Sequence, residues 1–247
     1  MIARRIMVVV GAMVVGVAAT GAADGRSASG PATVLAAASL ADVVPRIDPD
    51  VRASFAGSNQ LAQQARQGLR FDVFLSASPT YTQSLYADGL VRKPVAFATN
   101  RLVLIVPAGN PAKIRAVGDL ARRPKLRLVV AGPKVPIGLY TREVLKRLSL
   151  LRVLRKTVSQ ESDVKGIVTK VAFGEADAGF VYATDVRAVA GKVRVITFPA
   201  AAQPTVVYEL AIATDPRDLD AAQGFVIALL GPDGRRQLRA AGFGIPA

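Results

Sequence analysis

Short apolar runs that alternate with amphipathic stretches constrain this 247-residue chain more than any other feature. Val51–Ala56, Phe71–Ser76, Arg101–Val106, Leu126–Ala131, Gly179–Tyr182, Val193–Phe198 and Val206–Ala213 read as strands. Helical spacing falls between them, over Asn59–Gln67, Thr80–Ala87, about Gly138–Leu148 and Glu161–Phe173, and Leu219–Leu230 with Arg235–Ala241 forms a C-terminal helical pair. Such alternation predicts an α/β chain of parallel sheets with crossover helices. The first stretch, Thr33–Leu40 (TVLAAASL), reads as a strand running into Ser39 as a helix N-cap. A second, Phe55–Leu61 (FAGSNQL), places Gly57 as a turn and Ser58 as the next cap.

With 51% hydrophobic residues the chain can bury a sizeable core. It has no cysteine and no histidine, which excludes disulfides, zinc fingers, cysteine nucleophiles and any Ser-His-Asp triad. Residues 1–23 read as a signal peptide: Arg4 and Arg5, an apolar run over Ile6–Ala19, then small residues from Thr20 to Ala23. With no cysteine behind it, a lipoprotein anchor is excluded, and a periplasmic location is expected. The net charge of +14 invites a nucleic-acid reading. The basic residues, however, are scattered singly or in pairs, without interleaved aromatics, so solubility or weak anion steering is the plainer account.

Four places put a hydroxyl or backbone N–H groups at a strand end or helix start: Ser39, Ser58, Ile137–Gly138 and Asp163–Val164. Tyr182 ends a further strand. Ligands of open α/β sheets sit outside the carboxyl ends of strands, so the five can converge. Taken singly, the serines are ordinary helix caps, Tyr182 a core or interface aromatic, and Pro136-Ile137-Gly138 a helix entry. As a set they are donors with no accompanying cation, which suits an oxoanion. Asp42 and Asp163 read as first-turn residues favoured by the helix dipole rather than as metal ligands.

AAASL at 36–40, FAGSNQLAQQ at 55–64, FDVFLSAS at 71–78, VPIGLYTREVL at 135–145, ESDVKGIV at 161–168 and GFVYATD at 179–185 stand in the order found in periplasmic molybdate-binding proteins. The chain resembles that family over nearly its whole length after the leader. The resemblance implies a type II periplasmic-binding-protein fold: two α/β lobes joined by a hinge of two crossover strands. Lobe 1 is expected to comprise residues 31–98 plus 205–247, and lobe 2 residues 99–204. It further implies that hydroxyls of Ser39, Ser58 and Tyr182, with backbone N–H groups of Ile137 and Val164 and of the two serines, hold molybdate or tungstate. The expected protein is a monomeric, non-enzymatic carrier without cofactor, which delivers its ligand to an inner-membrane ABC permease and binds no nucleic acid.

Two features depart from the family pattern. The first helix is short, with Pro45 inside it and Asp48-Pro49-Asp50 after it, and Ile137 is bulkier than the residue common at its place. Both bear on ligand fit more than on fold. Rival readings are a binder of sulfate or thiosulfate, and an oxoanion-sensing or envelope-interaction protein without a transport role. A third is a tetrapyrrole-assembling deaminase of related architecture, which lacks here the cysteine its cofactor needs. The last is a regulator's effector domain, which lacks its helix-turn-helix.

Overall fold

The computed structural model describes residues 30–246, so the signal-peptide expectation for residues 1–23 lies outside the described residues. The chain opens with β1 (Thr33–Ala37), a 3-10 turn at Ala38–Leu40 and the one-turn helix α1 (Val44–Ile47), where Pro45 is tolerated because the first turn needs no N–H from it. Next come β2 (Arg52–Ala56), α2 (Ser58–Arg66), β3 (Val73–Ser76), α3 (Pro79–Ala87) and β4 (Val95–Asn100). The middle of the chain holds β5 (Leu102–Pro107), α4 (Asp119–Arg122), β6 (Leu128–Ala131), α5 (Pro136–Arg147), the 3-10 helix Leu151–Lys156, β7 (Thr157–Glu161), α6 (Val164–Ala172), β8 (Ala178–Tyr182) and β9 (Val193–Ile196). The chain closes with β10 (Val206–Ile212), α7 (Leu219–Leu230) and α8 (Pro232–Ala240).

These strands form two five-stranded sheets of one design, ordered β2-β1-β3-β10-β4 and β7-β6-β8-β5-β9. Each has a parallel trio, β2-β1-β3 or β7-β6-β8, flanked by two further strands. The sheets are therefore mixed rather than wholly parallel: β10 runs antiparallel to β3 and β4, and β5 antiparallel to β8 and β9. Only Arg101 separates β4 from β5, so the chain passes from the first sheet to the second there and returns before β10. β4 and β7 had no counterpart in the sequence reading. β7 is polar apart from Val158, and β4 is exposed at Val95 and Ala96 and ends in Thr99 and Asn100, so neither edge strand has the continuous buried apolar run of an inner strand.

Both faces of the first sheet are covered. Along β1 the side chains alternate, Val34 and Ala36 joining the main core while Leu35 joins Leu61, Ala65, Phe74 and Leu85 under α2 and α3. The buried Asp72 carboxylate accepts from the N–H of Thr33 at 2.7 Å and of Asp218 at 2.8 Å, fixing where β1 starts and where α7 is approached. Among the described residues no helix is long and apolar enough to cross a membrane.

Candidate functional site

The carboxyl ends of β1, β2, β6, β7 and β8 point their following segments at one cleft between the sheets. Ser39, Ser58, Ile137, Val164 and Tyr182 all line it, with Asp163 and small residues such as Ala38, Gly57 and Ala77.

Ser58 is the first residue of α2 rather than its cap; Gly57, extended at φ −60° and ψ 134°, takes the cap position. The Ser58 hydroxyl accepts from the N–H of Ala77 at 3.1 Å, which leaves its own hydrogen to donate. Gly57 is in a conformation open to any residue, so turn freedom does not explain it. Close approach does: a Cβ there would lie 2.5 Å from the Ser162 carbonyl oxygen, across the cleft.

Ser39 is not a helix N-cap either. Ala37 precedes the 3-10 turn in which Ser39 lies, and no side chain caps that turn. The Ser39 hydroxyl is instead 2.8 Å from the hydroxyl of Tyr208 on β10. Asn100 bears on that bond. Its Oδ1 accepts from the Arg101 N–H at 2.9 Å, so its amide nitrogen donates, to Thr184 Oγ1 at 2.9 Å and to Tyr208 Oη at 3.4 Å. Tyr208, receiving there, is free to donate to Ser39 Oγ, although either hydroxyl can be the donor; when Tyr208 donates, Ser39 keeps a hydrogen for the cleft.

Tyr182 ends β8 with 2% of its surface exposed, and its hydroxyl is buried with no hydrogen-bond partner among the described residues. Its ring packs edge-on against Tyr208 at 5.9 Å and Tyr140 at 6.5 Å. Burial first, then the neighbouring Tyr208, Tyr140 and Asp185, hold its phenol well above the ordinary tyrosine range. The group stays a neutral donor. An unpartnered buried hydroxyl costs roughly 1–3 kcal/mol, a cost that an acceptor in the cleft would remove.

The two remaining positions are helix starts. Asp163 caps α6 by accepting from the Gly166 N–H at 3.1 Å, so its carboxylate is committed to the helix and the Val164 N–H stands in the open first turn. In α5 Pro136 has no N–H to leave unpaired, and Ile137 supplies the first. That helix start presses on the preceding turn, where a Cβ on Gly138 would sit 2.1 Å from the Gly132 oxygen. The Ile137 side chain is buried in the core, 1% exposed.

Among the described residues no lysine or arginine lines the cleft. Lys165, next to Val164, is paired elsewhere: it reaches from α6 to Asp42 at 2.8 Å, across the two sheets, and to the buried Asp185 at 3.6 Å. Asp185 also accepts from the Tyr182 N–H at 3.2 Å, so this small network holds the end of β8. Burial raises the Asp185 carboxyl to about 7, against the lowering pull of Lys165. No group of carboxylates that could hold a metal ion occurs among the described residues. Tyr208 and Asn100 carry no motif legible in sequence, since each matters through a partner 80 or more residues away; Asp185 closes the GFVYATD stretch, but its pairing with Lys165 on another element is not legible there.

A family model described as bacterial extracellular solute-binding protein matches residues 32–244. The chain is 39% identical over 223 residues to the molybdate-binding protein ModA of Mycobacterium tuberculosis H37Rv, covering 86% of this chain and 84% of that one. It is 31% identical over 235 residues to ModA of Escherichia coli K12, covering 87% and 90%. The periplasmic molybdate-binding protein of Azotobacter vinelandii superposes with a TM-score of 0.78 at 22% identity, over 87% of this chain and all of that one. The M. tuberculosis sulfate-binding protein SubI superposes with a TM-score of 0.74 at 17% identity, over 87% and 86%. These two structures bear on the fold, which is the expected type II periplasmic-binding architecture. The chain belongs to the bacterial extracellular solute-binding protein family, among the relatives of the ModA proteins.

Proposed function

We propose that this protein is an exported carrier that captures molybdate, and tungstate equally well, between two lobes and hands it to an inner-membrane ABC permease. The lobes would be residues 31–98 with 205–247, and residues 99–204. One observation carries the reading: five residues spread from position 39 to position 182 line a single cleft that offers hydroxyl and N–H donors and, among the described residues, no cation. Relatives bearing the name molybdate-binding protein at 31–39% identity agree with it.

In this reading the hydroxyls of Ser39, Ser58 and Tyr182 and the N–H groups of Ser39, Ser58, Ile137 and Val164 each donate to the oxoanion. Hydrogen bonds to a charged group contribute roughly 1.5–3 kcal/mol each. Several together offset the cost of stripping a dianion of water. A donor-only cage also discriminates. Sulfate is smaller than molybdate and fits loosely; phosphate near neutral pH carries a proton that finds no acceptor. Molybdate and tungstate are nearly equal in size, so the cage treats them alike.

The test is calorimetric titration of the chain from Gly30 onward, which holds every described element, with molybdate, tungstate, sulfate and phosphate. One-to-one binding of the first two alone, weakened by Ser58→Ala and Tyr182→Phe, is expected. Sulfate binding as tightly as molybdate would reassign the ligand, and no binding of any of the four would remove the carrier reading.

A further inference from the structure

The positive charge is not spread over the molecule. Residues 101–205, which build the second sheet, hold 19 lysines and arginines against 7 acids, whereas residues 30–100 and 206–246 hold 10 against 10. Within the second half the charge concentrates again: residues 113–127 and 146–156 contain eleven cations and one acid, Asp119. These two segments meet in space. Lys156, ending the 3-10 helix Leu151–Lys156, donates to the carbonyls of Leu120 at 2.8 Å, Ala121 at 2.9 Å and Arg123 at 2.7 Å, closing the end of α4. One ammonium is thus used to hold the patch together. Arg115, Lys125, Arg152 and Arg155 are exposed, and their side chains make no ion pair or hydrogen bond among the described residues.

The position of the patch separates it from the candidate site. Both segments lead into the amino ends of β6 and β7, whereas Ile137 and Val164 follow the carboxyl ends of those strands. At about 3.3 Å per residue, the patch lies roughly 13–16 Å away along the strands. Its charges are therefore placed for a surface partner rather than for the cleft.

We propose that this face docks on an anionic phospholipid bilayer. Two apolar side chains are exposed within it, Leu151 at 44% and Val158 at 59%. Cations surrounding exposed aliphatic groups suit the headgroup region, where charge attraction and shallow apolar burial act together. Residues 111–127 and 146–158 contain no aromatic, so the face offers no stacking platform for nucleic-acid bases. Docking here leaves the cleft, a strand's length away, open to its ligand.

The experiment is co-sedimentation of the chain from Gly30 onward with phosphatidylglycerol-containing vesicles and with pure phosphatidylcholine vesicles, at about 0.15 M salt. Binding to the anionic vesicles alone is expected. A variant carrying Arg115→Glu, Arg152→Glu and Arg155→Glu should bind them at least about tenfold more weakly, since each basic residue near the surface is worth about fivefold. A control carrying Arg92→Glu, Lys93→Glu and Arg235→Glu changes net charge equally on the other sheet's half and should retain binding. A Leu151→Ser variant, which leaves the charge intact, should weaken binding as well. The proposal is overturned if the native chain ignores anionic vesicles, if it binds both vesicle types alike, or if the two triple variants lose binding equally. Binding to polyglutamate without binding to vesicles would make the partner an acidic polypeptide and would equally overturn it.

Discussion

Adding one methyl group at Gly57 isolates closure of the cleft from folding. The φ of −60° and ψ of 134° at this position suit alanine, so Gly57→Ala introduces no backbone strain. By restricting the unfolded chain it is expected to stabilise the fold slightly, by about 0.4–1 kcal/mol. The new Cβ, however, would stand 2.5 Å from the backbone oxygen of Ser162, which belongs to the other sheet's half. Cβ atoms do not approach such oxygens within about 3.0 Å, so the two halves must part there by at least about 0.5 Å. The second contact, Asn59 Oδ1 at 2.7 Å, lies at the end of a side chain on the same half and can give way. Overpacking of this kind costs about 1–3 kcal/mol. Because the cost falls on the closed arrangement, it should appear in ligand affinity, raising the Kd for molybdate about five- to 150-fold. Titration calorimetry reads the Kd, and thermal unfolding without ligand reads the fold. A Kd within about twofold of the parent would refute the steric reasoning. A fall in ligand-free stability equal to the affinity loss would place the clash in the fold rather than in closure.

Tyr182→Phe removes a buried hydroxyl that has no partner among the described residues, so ligand-free stability should hold or rise while molybdate binding weakens about tenfold or more, a split visible by unfolding and calorimetry together. Ser39→Ala should lose on both counts, because its hydroxyl is also hydrogen-bonded to that of Tyr208; a stability loss near 1 kcal/mol is expected in urea titration. Asp185 predicts a pH slope: the folded chain keeps its proton up to about pH 7, whereas an ordinary aspartate, near 3.8, has released it. Folding takes up a proton in between, so this group's contribution to stability falls as pH rises from about 4 to 7 and is flat above. Asp185→Asn should flatten that slope in urea titrations at several pH values, by up to about 4 kcal/mol, and an unchanged slope would show that another group carries it.

The sequence by itself determined the α/β class and most element positions, because strand and helix periods are local and the apolar runs of β1, β3, β5, β6 and β8 are buried on both faces. It also selected the five candidate site residues, since strand ends and helix starts are where unpaired donors must occur. The edge strands β4 and β7 escaped it, since neither carries a continuous buried apolar run. Other facts depended on residues brought together from far along the chain. The roles of Ser39 and Ser58 were misread as caps because their partners, Tyr208 and the Ala77 N–H, are 169 and 19 residues distant. Gly57 is glycine because of Ser162, not because of a turn. The cations that looked scattered along the chain gather on one face because α4 and the 3-10 helix before β7 pack together, joined through Lys156. Local periodicity fixes which segments form; which donors stay unpaired and which charges become neighbours is a property of distance in space, and only the packed chain sets it.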